Sequence, residues 1–363
     1  MAGIDLTLDA QRQQANLAFI ASGAEFAFGD ARALPLPIAE LQALHADSPG
    51  VEAVLDGGLT AEVLRLNHGG RRWAVKRARP ECRVRNDDGR TSFLNELQRH
   101  ADVAALRAQG AVLPGVIAPV YGSLRDGLVV SPWIDGRHIG VFDDRQARTL
   151  LEAACGLAEH GLFEWDYSAG NLLDDGERVW LYDFGYCYRF DALTQFNSAG
   201  DGSTHPRHHP VERIEGRHFF GALLDAGDDA QALPHFIAFK RLAVDAYEAL
   251  AGRLAARGAT PAVLAHYRGL AARWRAALAT DPTRLYLEDA WQAHASDLAD
   301  DLHGRSCNPR TLRRAQWLQR AVREQAAALR ATGTLAADDA VLTDTALLQR
   351  YIDREHEARR YQL

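Results

Sequence analysis

Asp166-Tyr167-Ser168-Ala169-Gly170-Asn171-Leu172-Leu173 is followed, after the turn Asp174-Asp175-Gly176, by Val179-Trp180-Leu181-Tyr182-Asp183-Phe184-Gly185. The two apolar runs, Asn171–Leu173 and Val179–Tyr182, predict a short β-hairpin around the Asp-Asp-Gly turn. Asp166 and Asn171 bracket the loop that enters its first strand. Asp183 ends its second strand, just before a glycine that lets the backbone turn. Such a hairpin gathers two oxygen ligands, Asn171 and Asp183, at one end for a hard cation such as Mg²⁺, and leaves Asp166 to face an acceptor. Asp-Phe-Gly by itself is a common tripeptide that a plain turn would explain. The joint spacing is far harder to obtain by accident.

Upstream, residues 1–50 read as an extension with a helix around 8–21, a Pro-punctuated ALPLP stretch and a helix around 38–46. From Val51 the pattern changes to short β-rich runs, Val51–Leu55, Glu62–Leu66 and Trp73–Lys76. Gly57-Gly58 and Asn67-His68-Gly69-Gly70 separate them with the turn chemistry of hairpins. A helix is predicted from Thr91 to about Gln109, with an apolar stripe through Phe93, Leu97, Ala101 and Ala104. Val116–Val120 and Leu128–Val130 predict two further strands. After Pro132 the chain is mainly helical, beginning with an amphipathic helix over Asp144–His160 that Gly161 closes. The polar, Gly- and His-rich segment 195–210 reads as a mobile loop. Beyond it run Ala/Leu/Arg/Glu-rich helices broken near 225–229, 258–261, 281–282, 303–309 and 333–338. Strands first and helices afterwards predict an α+β fold in two lobes: a small β-rich lobe over 51–132, a larger helical lobe over 133–303, and helical extensions over 1–50 and 304–363.

Within this frame three further features bear on chemistry. Gly57, Gly58 and Thr60 link two strands, and glycines let backbone N–H groups approach phosphate oxygens, although a Gly-Gly hairpin occurs in any sheet. Lys76 closes an apolar strand, where a lysine is ordinarily a snorkelling edge residue. Glu96 lies beside the apolar stripe of the following helix, and a buried carboxylate needs a cation. Lys76 is its natural partner, either as a structural ion pair or to hold an ammonium ready for nucleotide phosphates.

Composition narrows the function classes. The 363 residues are 47% hydrophobic and 25% charged, as in an ordinary globular domain, and no apolar run is long enough to span a membrane. A formal net charge of −7 argues against a general nucleic-acid binder. Four scattered cysteines and an N-terminal MAGIDLTLDAQRQQ without signal-peptide character lead us to expect a cytoplasmic protein. Lys76 and Lys240 are the only lysines among 41 basic residues, so the other 39 are arginine. Under such a bias, a surviving lysine marks a place where a compact ammonium is needed and a planar fork would not fit.

From Val51 to about Phe220 the chain resembles the protein-kinase-like superfamily, which includes protein kinases and the aminoglycoside and choline phosphotransferases. Gly-rich loop, strand lysine, helix glutamate, hinge, catalytic loop and Asp-Phe-Gly occur in the family's order. Gly57-Gly58-Leu59-Thr60-Ala61-Glu62-Val63 is more similar to the small-molecule phosphotransferases than to eukaryotic protein kinases. The resemblance implies ATP and Mg²⁺ as cofactors. It implies Lys76 on the α- and β-phosphates with Glu96 fixing it, Gly57, Gly58 and Thr60 over the phosphates, and a hinge at Ser131–Trp133 beside adenine. It also implies Asp166 orienting or deprotonating a hydroxyl of a small-molecule or protein acceptor, and Asn171 and Asp183 holding the metal. Two positions depart from the pattern. Glu164 stands where the family usually has His, and Trp165 where many regulated protein kinases carry Arg. Tryptophan cannot pair with a phosphate on the activation segment, so control by that route is not expected. His209-Pro210-Val211-Glu212 matches the usual end of that segment only in part.

Two rival readings stand beside an active kinase. One is a pseudokinase serving as a nucleotide-binding or scaffolding module, and the other is an AMP-transferring enzyme on the same fold. A metal site at His205, His208 and His209 is weaker than a polar loop, for want of a suitably spaced Cys or carboxylate. Arg71, Arg72, Arg77, Arg79, Arg83 and Arg85 read as solvated strand ends or as a site for an anion. Lys240, in an apolar helical stretch, receives no role.

Overall fold

The computed structural model describes residues 7–84, 86–227 and 229–362. Helix takes 56% of the chain and strand 14%, with every strand among the described residues before residue 190 and long helices after residue 206, which makes the fold α+β. Two compact units are present. One comprises residues 1–137, 156–165 and 171–205, the other 138–155, 166–170 and 206–363. No helix among the described residues is long and apolar enough to cross a membrane.

The first unit opens with helix α1 (Leu8–Ala21), strand β1 (Ala27–Gly29), helix α2 (Ile38–Ala43) and strands β2 (Val51–Leu55), β3 (Ala61–His68) and β4 (Arg71–Ala78). Helix α3 (Asp87–Ala108) and strands β5 (Tyr121–Ser123) and β6 (Leu128–Pro132) follow. The strands form one antiparallel sheet in the order β1-β5-β6-β4-β3-β2. Period-two alternation sends Trp73 and Val75 of β4 to one face and Lys76 to the other. On the first face Leu64, Leu66, Trp73, Val75, Leu128 and Val130 pack with Leu41 of α2 and with Leu44. Residues 1–50 therefore supply both an edge strand and a piece of this core.

Helix α3 begins at Asp87, earlier than the predicted Thr91. Asn86 caps it by accepting the Gly89 N–H, and Asp87 and Asp88 suit the positive end of the helix. Its buried face runs through Leu94, Leu97 and Val103 and takes in Asn95, Glu96 and His100; it leaves Ala104 exposed. The predicted stripe was displaced because it counted apolar residues, whereas several residues of the true face are polar and find partners inside. Val116–Val120 is not a strand. Pro119 has no N–H to give a ladder, the Arg107 guanidinium takes the carbonyls of Leu113, Val116 and Ile117, and Val116 makes only an isolated bridge to Leu181.

Strand β7 (Arg137–His138), helix α4 (Asp144–Glu159) and strands β8 (Leu162–Glu164), β9 (Leu172–Asp174), β10 (Val179–Leu181) and β11 (Cys187–Arg189) come next. Strands β9 and β10 form the predicted hairpin, and β8 pairs with β11. Asp175 fixes the hairpin turn by accepting the N–H groups of Glu177 and Arg178 and the indole N–H of Trp180. As far as His209 the segment read as a mobile loop holds no regular element, yet Asn197–Gly200 is buried. Its Gly200 carbonyl accepts the Leu8 N–H at 2.6 Å.

Besides most of α4, the second unit contains α5 (Pro210–Ile214), a π turn over Glu215–Phe219, α6 (Phe220–Ala226), α7 (Asp229–Ala256), α8 (Pro261–Thr280), α9 (Pro282–Gly304), α10 (Pro309–Thr332), α11 (Ala337–Ala340) and α12 (Asp344–Arg360). Breaks occur near all five predicted places, and a further one at 341–343, between α11 and α12, is not predicted. Thr260, Asp281 and Asn308 cap α8, α9 and α10, each followed by proline at the first helical position. Gly227 ends α6 in the left-handed conformation. Asp228, inside the predicted break at 225–229, lies outside the described residues, as do residues 1–6 of the N-terminal stretch.

Candidate functional site

In the first unit, the sheet face opposite the Val75 core meets α3, and three charges converge there. Lys76 Nζ lies 2.7 Å from each carboxylate oxygen of Glu96 and 2.9 Å from Asp183 Oδ2. Glu96 is 1% exposed, so its charge depends on this ammonium. Burial works against the charged lysine, but Asp183 and Glu96 outweigh it and hold its pKa above the ordinary lysine value. For Asp183 burial would raise the carboxyl, yet Lys76 and the Gly185 N–H, 3.1 Å from Oδ1, bring it below the ordinary aspartate range. The hairpin register delivers Asp183: Leu172 stands opposite Leu181, so Asn171 and Asp183 leave β9 and β10 at the same end.

Asn95, which sequence reasoning missed, holds this arrangement, and Arg79, read there as a solvated strand end or an anion site, holds the Gly57-Gly58 loop. Asn95, beside Glu96 on α3, donates its side-chain amide to the carbonyls of Phe184 and Gly185, both at 3.1 Å, and of Cys187 at 2.8 Å. The helix that carries Glu96 is thereby tied to the segment that carries Asp183. Arg79 fixes the Gly57-Gly58 loop from the end of β4. Its guanidinium donates to the Gly58 and Asp56 carbonyls and its backbone N–H to the Thr60 carbonyl. The N–H groups of Gly57, Gly58 and Thr60 themselves bond to no acceptor among the described residues. A Cβ on Gly58 would meet the Ala61 carbonyl oxygen at 2.4 Å, whereas Gly57 has open space around it.

The other predicted residues are placed as follows. Ser131 is buried in β6 opposite Ala74, and Trp133 donates its N–H to the Arg72 carbonyl with its ring 5.4 Å from the Arg65 guanidinium. The basic stretch is largely spent on pairing. Arg72 meets Glu52 and Asp135, Arg77 meets Glu62, and Arg79 and Arg83 meet Asp56. Arg85 lies outside the described residues. Glu164 is buried on β8 opposite Cys187, whose thiol is pushed up by burial and then by the Glu164 charge. Trp165 donates its indole N–H to Ser198 Oγ at 2.8 Å, which pins the segment after Asp-Phe-Gly without any phosphate.

Asp166 belongs to the second unit. Its Oδ1 accepts the Ser168 N–H at 3.2 Å and stands 3.3 Å from Nε of Arg217, in the π turn. Arg217 also pairs with Asp297, which meets Arg314 at 2.8 Å, and Arg314 in turn donates to the Gly216 carbonyl. Asp297 first, and then Asp166, keep Arg217 firmly charged despite burial. Nothing in the sequence marks Arg217 among 39 arginines, and only the fold brings it to Asp166. The three histidines of the 205–209 segment all have polar neighbours: His205 meets Thr204, His208 meets Glu212, and His209 caps α5.

No protein-family model matches the chain, and no curated protein matches it at a significant level.

Proposed function

We propose that the chain is an ATP-dependent phosphotransferase of two-lobed, kinase-like architecture, which moves the γ-phosphoryl group to a hydroxyl of a small molecule or a protein. The observation that supports this most is the Lys76 ammonium held between buried Glu96 and Asp183. Asp183 is 28% exposed, so that side of the contact stays open to a ligand. In this reading Glu96 keeps the ammonium in place, Lys76 neutralises nucleotide phosphate charge, and the N–H groups of Gly57, Gly58 and Thr60 receive phosphate oxygens. Ser131 and Trp133 border the base.

Asn171 and Asp183 fit Mg²⁺: both are hard oxygen donors leaving one end of a hairpin, and this ion takes few protein ligands while retaining water and phosphate oxygens. Mg²⁺ would supply neutralisation of the charge on the transferring phosphoryl group. Asp166 orients the acceptor hydroxyl and takes its proton, with Arg217 fixing the direction of the carboxylate.

The test is incubation with ATP, Mg²⁺ and a broad acceptor panel, with products read by mass. A gain of one phosphate supports the proposal, and a gain of one AMP replaces it with nucleotidyl transfer. Asp166→Asn is expected to lower transfer by about 10²–10⁴-fold while leaving ATP binding in place. The Arg217 contact also favours a second reading, a nucleotide-binding module without transfer, because a carboxylate already paired is less free to turn to an acceptor. Wild-type protein that binds ATP and transfers nothing would establish that reading instead. A finer prediction concerns the loop. Gly58→Ala, which collides with the Ala61 carbonyl, is expected to raise KM for ATP by about tenfold or more, as the loss of one charge-assisted contact would. Gly57→Ala, with open space around it, is expected to stay near wild type.

A further inference from the structure

The second lysine repeats the first one's chemistry in another place. Lys240 of α7 is 1% exposed, and its Nζ lies 2.6 Å from Glu215 Oε1 and 2.9 Å from Asp289 Oδ2, over the Trp274 ring at 4.1 Å. All four residues line a cavity of about 390 Å³ in the second unit. That is the size of a small-molecule pocket, about 300–1,000 Å³. Glu215 opens the π turn, a distortion that recurs at functional sites.

The charges at the base of this cavity do not balance. One ammonium faces two carboxylates, and the nearby Glu212 is occupied with His208 and Arg213. The Lys240 ammonium is hydrogen-bonded to Glu215 and lies within hydrogen-bond distance of Asp289. Glu215 is 4% exposed, and burial pushes its carboxyl up to about 8, with Lys240 opposing and Asp289 adding to the rise. A proton on Glu215 thus offsets the second carboxylate, and a ligand's positive hydrogen-bond donor would take that proton's place. A metal ion is a poor candidate beside a resident ammonium, and among the described residues no three His, Cys, Asp or Glu side chains are grouped to ligate one.

The wall carries two further cations that are only loosely held. Arg207 is exposed and makes no ion pair among the described residues, and Arg273 comes no nearer than 4.0 Å to Glu288 or Asp289. Both guanidiniums line the cavity, with Pro206 and Leu270 as apolar surface. We propose that this cavity binds a small zwitterion of the free amino-acid type, its ammonium on Glu215 and Asp289 and its carboxylate on Arg207 and Arg273. This site stands apart from the phosphotransferase reading, and its occupancy is measured without nucleotide.

Calorimetric titration of the full chain with a panel of free amino acids tests it, with methylammonium and acetate as the two half-ligands. At least one amino acid is expected to bind about tenfold or more tightly than either half, since each half lacks one charge-assisted contact. Arg273→Ala, a partly exposed position, is expected to weaken that binding about tenfold with an unchanged melting temperature. Glu215→Gln, nearly the same shape, is expected to do the same from the other end. Acetate or methylammonium binding as tightly as any amino acid would overturn the proposal. So would unchanged affinity in folded Arg273→Ala, or no binding by any amino acid up to about 10 mM.

Discussion

Lys76→Met is expected to reduce Mg²⁺-dependent ATP turnover by about 10³-fold or more, the scale on which cationic stabilisation of a transferring phosphoryl group acts. It is also expected to destabilise the fold by about 3–5 kcal/mol, because Glu96 is left buried without a cation. The two losses separate in a double variant. Lys76→Met/Glu96→Gln removes the orphaned charge and is expected to regain most of the stability, measured by urea unfolding, with no return of turnover. If turnover returned with stability, Lys76 would be a structural ion-pair partner and nothing more. The pH dependence follows from the same contacts. The lowered Asp183 pKa contributes stability that is complete above the unfolded-state value and is lost as pH falls through the folded one. The raised Lys76 pKa contributes stability that is complete below its unfolded-state value and is lost as pH rises through the folded one. The gap in stability between wild type and Lys76→Met is therefore expected to be widest between about pH 5 and pH 9 and to shrink on either side.

How far the sequence could be read depended on whether a residue's partner lay nearby in the pattern. Strand β2 and the hairpin of β9 and β10 are visible because alternation and turn residues are local signals, and the helix breaks are visible because caps and prolines are local too. Lys76 and Glu96 could be paired on an argument about charge. Asn95 could not, since an asparagine on a helix gives no sign that its acceptors lie 89 to 92 residues further on. Arg217 was hidden by arginine's abundance, and Lys240 was set aside because its helix looked apolar. It is buried as that stretch implied, but with two carboxylates that only the fold supplies. The misplaced strand at Val116–Val120 has the same origin. Its carbonyls are satisfied by the Arg107 side chain, a solution no strand propensity encodes.

Asn95→Asp is expected to be about as damaging as the loss of Lys76, although it adds no bulk and touches neither charge of the ion pair. The Asn95 amide nitrogen serves three carbonyl oxygens at 2.8–3.1 Å, so the orientation of the amide follows from its neighbours. A carboxylate there would turn acceptor against acceptor and place an uncompensated charge in a site that is 1% exposed, a loss of about 3–5 kcal/mol. Asn95→Leu removes the donor without adding a charge and is expected to be milder, about 1–3 kcal/mol for carbonyls left with poorer partners. Both variants loosen Phe184–Cys187 from α3, and Asp183 adjoins that segment. Amide exchange at residues 184–188 is therefore expected to speed up in Asn95→Leu, and turnover to fall more than ATP affinity, because Lys76 and Glu96 still stand on β4 and α3. Wild-type exchange and turnover in a folded Asn95→Leu protein would mean that the Lys76 contact alone positions Asp183. A fall confined to ATP affinity would point to the proposed phosphate-binding loop rather than to the helix tie.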